Sequence, residues 1–173
     1  MAMHRIGVVS DTHGTLDSRV LELFAGVDLI IHAGDVGREE ILIDLKAVAP
    51  TVAIFGNIDI GGPIPGLPEE EILDIEGVEI FVRHGHQHAD PLRRISAVLE
   101  RKWNRSPDVV IVGHSHRPYL AEHRGVLILN PGSASRPRYG FPASVGFLSL
   151  ESGRVSGEIV DLGGKPLTPG DKV

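Results

Sequence analysis

The apolar positions of this chain fall into two kinds of run. Short blocks rich in β-branched residues, RIGVVS (5–10), DLIIHAGD (28–35), TVAIFGN (51–57), EIFVRHGH (79–86) and VVIVGHSH (109–116), read as strands. Between them, apolar residues recur at helical spacing. LDSRVLELFAG (16–26) ends in glycine, a frequent helix stop, and REEILIDLKAVA (38–49) opens with acidic residues and halts before Pro50. PLRRISAVLERKW (91–103) carries a proline where a first helical turn accepts one.

The first half thus alternates strand and helix, which predicts an α/β unit with parallel strands. The second half changes character. EILDIEGVEIFV (71–82) reads as a hairpin around Glu76-Gly77, and ASVGFLSLESGRVSGEIVDL (143–162) as another turning at Ser152-Gly153. A mixed sheet, or two packed sheets flanked by helices, fits this pattern better than one parallel sheet. No repeat and no long linker divides the chain, so residues 1–173 are expected to form one domain, with its core at about 5–162. The Gly- and Pro-rich stretch 163–173 is expected to be a loose tail.

Composition narrows the class. The chain has 173 residues, 42% of them hydrophobic, enough to build a core without covalent staples. It has no cysteine, which excludes disulfides and thiolate metal sites. No apolar run approaches the ~18 residues of a membrane span, and the opening MAMHRIGVVSDTHG has no signal-like apolar stretch. A soluble cytoplasmic protein without a membrane partner is the expectation. The net charge of −6 argues against a general nucleic-acid binder. It leaves room for a small phosphate ester, because bound metal ions supply local positive charge.

The candidate chemistry lies where the strands end. SDTHG offers Asp11 and His13, HAGD offers Asp35, GNID offers Asn57 and Asp59, HGH offers His84 and His86, and GHSH offers His114 and His116. In α/β sheets, sites gather beyond the carboxyl ends of the strands. Carboxylates that converge there need cations, or they raise one another's pKa. Imidazole with carboxylate suits zinc, manganese, iron or nickel, and the missing thiolates point away from a structural zinc site. The donors exceed what one ion uses. Two ions roughly 3.5–4 Å apart, bridged by one carboxylate, would use them all and activate a water between them. Gly34, Gly56, Gly85 and Gly113 adjoin these residues, and Gly113 is expected to turn the chain so that His114 and His116 face one crevice.

The motifs DTH, GD, GN-x-D, HGH and GHSH, in this order over about residues 5 to 140, resemble the calcineurin-like metallophosphoesterase superfamily. The short length and the GN-x-D form are most similar to its small bacterial and archaeal, YfcE-like phosphodiesterase branch. The resemblance implies an αββα sandwich of two mixed sheets. It implies that Asp11, His13 and His116 hold a first ion, that Asn57, His84 and His114 hold a second, and that Asp35 bridges them. The implied reaction is hydrolysis of a small phosphodiester by a hydroxide between two divalent transition-metal ions. Manganese leads, with iron, zinc, nickel or cobalt as alternatives. Asp35, Asn57 and His86 are the residues expected nearest the chemistry. NPGS (130–133) resembles a loop beside the site. Larger members place a proton-donating histidine after the asparagine, where this chain has Ile58, so the general acid is unassigned.

Two other readings belong to different classes. A scaffold of the retromer-subunit kind resembles the same branch, and the superfamily also includes nucleases. Every proposed ligand keeps its ligating type, which favours the enzyme, and the acidic charge disfavours a long polyanion. A homo-oligomer is left open. Among the other polar residues, His86 divides between a supporting or substrate contact and a plain loop position. His32 reads as a core residue, and His4, His88 and His123 as surface. Asp59 reads as a turn former or a hydrogen-bond partner of a histidine. Arg136 and Arg138 read as solvated, with phosphate contact as the alternative.

Overall fold

The computed structural model describes residues 3–62, 64–86 and 107–168. The helix expected at 91–103 and His88 lie outside the described residues. Strand β1 (His4–Val9) is followed by helix α1 (Ser18–Leu23), β2 (Leu29–His32), α2 (Glu39–Val48) and β3 (Thr51–Ala53). Each helix carries the chain back, so β1 with β2 and β2 with β3 pair in parallel, as the alternation predicts. Helix α1 is shorter than the 16–26 expected. It begins at the Asp17 cap, whose carboxylate accepts from the Arg19 N–H, and Phe24 closes it ahead of the Gly26 turn. In α2, Glu39 and Glu40 lie at the positive end of the helix dipole and Lys46 at the negative end.

Both predicted hairpins form. Strands β4 (Glu70–Ile75) and β5 (Val78–Arg83) turn at Glu76-Gly77, and β9 (Ser144–Glu151) and β10 (Arg154–Asp161) turn at Ser152-Gly153. Both central residues of each turn have positive φ, the geometry that matches the twist of the flanking strands. Strand β6 (Val109–Ile111) lies between them in the chain. A third hairpin, β7 (Pro118–His123) with β8 (Val126–Pro131), has no counterpart in the sequence reading. Its turn, Arg124-Gly125, has the same positive-φ geometry as the other two, but β7 is a half-polar edge strand with weak alternation.

Among the described residues the strands form two five-stranded mixed sheets, β10-β9-β1-β2-β3 and β4-β5-β6-β8-β7. They pack face to face. Ile6, Val8, Ile31, Leu148 and Leu150 of the first sheet meet Ile80, Val82, Val109, Ile111 and Leu129 of the second. On the outer face of the first sheet, Val20, Phe24, Ile41, Leu42 and Leu45 of the helices cover Ile30, Val145 and Phe147. Phe24 meets Phe147 edge to face at 5.6 Å. The expected two-sheet architecture is therefore the observed one. No helix among the described residues is long and apolar enough to cross a membrane.

As far as Thr168, the segment expected as a loose tail makes hydrogen bonds to the end of β10. Gly163 N–H and Lys165 N–H donate to Asp161 Oδ1 at 2.8 and 2.9 Å, and Leu167 N–H donates to the Ile159 carbonyl at 2.8 Å. Leu162 is buried in the helix-side core. The segment folds back along β10 because Asp161 organises the turn that follows it.

The core between the sheets sets the first prediction. Leu148 is fully buried there, so Leu148→Ala should cost about 2–5 kcal/mol. Ile43→Ala, on the exposed side of α2, should stay within about 0.5 kcal/mol of the parent. Urea unfolding midpoints of the two variants decide this.

Candidate metal centre

The strands feeding the site end in backbone of an unusual kind. Asp11 (φ 54°), His13 (46°), Asp35 (55°), His114 (66°) and His116 (58°) all lie in the left-handed region. Aspartate and histidine tolerate this better than most residues, yet such positions cost of order 1–3 kcal/mol each and persist only where the surroundings hold them. The two histidines of GHSH therefore turn the chain themselves. Gly113, expected to do so, is absent from the positive-φ glycines and has a different role. A Cβ there would run into Ser10 Oγ and stand 3.0 Å from Asp11 Oδ2. Gly56 likewise leaves the space that the Asp35 carboxylate occupies.

Hydrogen bonds between the loops hold this strained backbone. Asp11 N–H donates to the Gly34 carbonyl (3.0 Å), His13 N–H to Asp35 (2.9 Å) and Gly14 N–H to Val36 (2.8 Å). The buried Asp59 carboxylate accepts from three backbone N–H groups, Val36 (3.0 Å), Gly37 (2.8 Å) and Gly56 (2.9 Å). It ties the loop after β2 to the loop after β3, and it bonds to no histidine among the described residues. The segment after β8 closes the ring. Ser133 Oγ and Ser135 Oγ donate to the Asp11 and Thr12 carbonyls (2.8 and 2.7 Å). Asn130 Nδ2 donates to the Gly113 carbonyl (2.9 Å) and to Ser115 Oγ (3.0 Å). The NPGS stretch is thus a clamp on two of the ligand-bearing loops.

These loops bring the predicted side chains into two adjoining groups, Asp11 with His13 and His116, and Asp35 with His84 and His114. In the first, His13 Nε2 lies 3.1 Å from His116 Nε2, and Asp11 Oδ1 lies 3.2 Å from His116 Nε2 and 3.8 Å from His13 Nε2. In the second, Asp35 Oδ1 is 3.3 Å from His84 Nε2, and His114 Nδ1 is 3.0 Å from Asn57 Oδ1. The groups are continuous, because Asp35 Oδ2 is 3.6 Å from His13 Nε2 and Asp11 Oδ1 is 4.0 Å from His84 Nε2.

The residues present fit metal ions. Donors on one ion with bonds of about 2.0–2.2 Å stand roughly 3–3.5 Å apart, as several of these pairs do. Asp11 spends one oxygen on the protein, since Oδ2 accepts from Ser10 Oγ (2.7 Å) and His114 N–H (3.0 Å). Its other oxygen, Oδ1, is buried without a hydrogen-bond partner, as is His84 Nε2. A buried polar atom left unpaired is expensive, and two that face the same crevice ask for a cation. The imidazoles are oriented for one. His84 Nδ1 bonds the Ala33 carbonyl (2.7 Å) and His116 Nδ1 the Arg136 carbonyl (2.5 Å), which leaves each Nε2 free to bind.

Charges in the crevice reinforce one another. Burial alone would raise the Asp35 pKa, but His84 beside it, the Ile58 N–H (3.1 Å) and His13 hold the carboxyl at about 2. Burial lowers His84 and His116, and the neighbouring carboxylates reverse this, raising both. For His13 and His114 burial prevails and the pKa falls.

His86 stands beside the second group, its ring 5.6 Å from that of His84 and 6.4 Å from that of His114. Burial, then His84 and His114, lower its pKa. Ile58 is 41% exposed next to Asn57. His32 is a core residue under the site, bonded to Thr12 Oγ1 at 2.9 Å. His123 is exposed, whereas His4 is half-buried and pairs with Glu76 at 3.1 Å. The sequence reading missed Ser10 and Ser135; the NPGS resemblance placed Asn130 and Ser133 beside the site without giving them a role.

Two packed mixed sheets, with histidines and acids meeting beyond their strand ends around unpaired buried donors, define a metal-dependent hydrolase of the sandwich class. The chain belongs to the calcineurin-like phosphoesterase superfamily, whose domain model matches residues 4–153. It is 43% identical over 138 residues to the probable metallophosphoesterase MJ0623 of Methanocaldococcus jannaschii, covering 77% of this chain and 69% of that one. It is 33% identical over 172 residues to the phosphodiesterase YfcE of Escherichia coli, covering 84% and 88%. The solved structure of YfcE superposes with a TM-score of 0.69 at 24% identity, over 95% of this chain and 97% of that one. Chaetomium thermophilum Vps29 shares the fold at 17% identity, with a TM-score of 0.73 over 95% and 94%.

His32 supports a pH prediction. Burial lowers its pKa from 6.5 to about 4, so the folded protein keeps it neutral where the unfolded chain protonates it. The stability this contributes is complete above pH 6.5 and is lost as the pH falls towards 4, by on the order of 3 kcal/mol. His32→Gln, which keeps a group facing Thr12 and does not titrate, should flatten the fall of urea midpoint between pH 6.5 and 4.

Proposed function

We propose that this protein is a phosphodiesterase that hydrolyses a small phosphodiester using two divalent ions, one in each group, with Asp35 shared between them. The observation that carries the reading is the position of Asp35. One of its oxygens faces His13 of the first group and the other faces His84 of the second, at 3.6 and 3.3 Å. In this reading Asp11, His13 and His116 hold the first ion, and Asn57, His84 and His114 the second. When bound, such a pair neutralises the phosphoryl oxygens and makes a water nucleophilic near neutral pH. The relatives named as phosphodiesterases support the substrate class. The imidazole, carboxylate and amide donors suit manganese, iron, zinc, nickel or cobalt, and manganese is the first to test.

The chain's own part is positioning. Ile58 N–H fixes Asp35 Oδ1, the Ala33 and Arg136 carbonyls fix the His84 and His116 rings, and Gly56 and Gly113 admit the carboxylates. Tolerances of this size matter, because misplacement by about 1 Å can cost ~10²-fold in rate. The scaffold reading shares the fold but does not account for seven donor side chains kept intact and oriented. The nuclease reading meets a chain of net charge −6.

Asp35→Asn should lose both metals and the hydrolysis of bis-p-nitrophenyl phosphate, since a neutral amide is a poor bridge. A variant that keeps full activity refutes the shared-carboxylate reading. His116→Ala should empty the first site and His114→Ala the second, read by elemental analysis and anomalous scattering. Two fully occupied ions in both variants would show the ligand assignment to be wrong.

Ile58 supports a separate prediction about rate. A placed general acid contributes ~10²–10⁴-fold, and isoleucine cannot donate a proton to the leaving oxygen. The rate should therefore depend steeply on leaving-group pKa, with aryl diesters cleaved well and alkyl diesters poorly. Ile58→His should flatten that slope where the imidazole reaches the leaving oxygen. A flat slope in the parent would reveal another donor, with His86 the first to replace.

A further inference from the structure

Beside the first group lies a cationic and aromatic bank that the hydrolytic reading does not use. Arg117 directly follows His116, and its guanidinium carbon sits 3.8 Å from the centre of the Tyr139 ring. Arg138 opens the turn that carries Tyr139 and Arg136 lies just before it, and the two are close enough to bear on the charge of His116 and His13 respectively. All four side chains are exposed. No ion pair between Arg117, Arg136 or Arg138 and a carboxylate occurs among the described residues, in a chain with 23 acidic residues and 17 basic ones.

Tyr139 is the informative member. It occupies a central position of the turn closed by Phe141 N–H donating to the Arg138 carbonyl at 3.1 Å. Tyr139 (φ 58°) and Gly140 (φ 79°) both have positive φ. That geometry asks for glycine, asparagine or aspartate at position 139, and a bulky aromatic side chain is disfavoured there. The core does not use the ring, which is 65% exposed. Arg117 covers one side of it and the rest faces solvent. The segment leading into the turn is tied to the site, because the Arg136 carbonyl accepts from His116 Nδ1 and Ser135 Oγ donates to the Thr12 carbonyl. An aromatic surface held at a conformational cost beside the candidate phosphoester site, with guanidinium groups that meet no carboxylate among the described residues, matches a nucleobase carried on an anionic ester.

We propose that Tyr139, backed by Arg117, stacks the base of a nucleoside arm of the substrate, and that Arg136 and Arg138 draw in its anionic phosphodiester. This rests on the phosphodiesterase reading and narrows it to small nucleoside phosphodiesters. A long nucleic acid is disfavoured, because the bank is local and the chain as a whole is acidic.

The test uses two esters with the same leaving group, thymidine 5′-(p-nitrophenyl phosphate) and methyl p-nitrophenyl phosphate, with manganese-loaded protein. The parent should prefer the thymidine ester in kcat/KM. Tyr139→Ala should reduce that preference by about 5- to 150-fold, the range for loss of one base–aromatic stack, while Tyr139→Phe retains it. Calorimetric binding of thymidine 5′-monophosphate against methyl phosphate gives a second readout, and the Tyr139→Ala variant should lose the difference. A preference, in rate and in binding, that is unchanged by Tyr139→Ala overturns the subsite. If the parent cleaves neither ester, the phosphodiesterase reading fails by itself, and the binding comparison still judges the subsite.

Discussion

Two buried carboxylates, Asp11 and Asp35, face one crevice, and the rest of the site is organised by that fact. Among the described residues neither meets a lysine or arginine there; their neighbours are imidazoles 3.2 to 4.0 Å away. Burying two like charges together is costly in a protein interior unless cations or hydrogen bonds compensate. The protein supplies part of the compensation through Ser10 Oγ, His114 N–H and Ile58 N–H. It leaves Asp11 Oδ1 without a hydrogen-bond partner, facing imidazoles alone. The residual demand for positive charge is what a bound cation would meet.

The fold answers a geometrical problem set by those charges. Donors from five segments must meet within a few ångströms, and the segments are far apart in sequence. Two sheets packed face to face bring strand ends from both layers to one edge. Asp59 then laces the loops after β2 and β3, and Asn130 with Ser133 and Ser135 laces those after β1 and β6. The converging residues sit on short loops, and the lacing ties those loops to one another. Held in this way, five non-glycine residues can remain in the left-handed region.

The residues that meet in the crevice were legible as candidates in the sequence because each is local. A β-branched run that stops at Asp11, Asp35, His84 or His114 announces both a strand and what lies beyond its end. The two-sheet character was legible from Glu76-Gly77 and Ser152-Gly153, where hydrophobic alternation flanks a recognisable turn. The third hairpin was not, because β7 alternates weakly and lies at a sheet edge. The support of the site was the least legible part. Asp59 was read as a turn former or a histidine's partner, and its actual partners are backbone N–H groups at positions 36, 37 and 56. Gly113 was read as a hinge, and it is a gap that admits Ser10 and Asp11. Such roles depend on which backbone passes which, and no spacing along the chain encodes that.

Strain and buried charge both draw on the stability of the fold, and the structure places the compensation elsewhere. Left-handed aspartates and histidines, a neutral buried His32 and unpaired donors all lie at one edge. The layer of Ile6, Val8, Ile31, Ile80, Ile111, Leu129 and Leu148 between the sheets is apolar throughout. A ligand that binds only the folded chain would add stability at that same edge, by an amount that grows with its concentration over its dissociation constant. The site is therefore built to be completed. Its side chains are oriented in advance by the protein, so that an incoming cation meets donors whose ordering cost was met when the two sheets closed on each other.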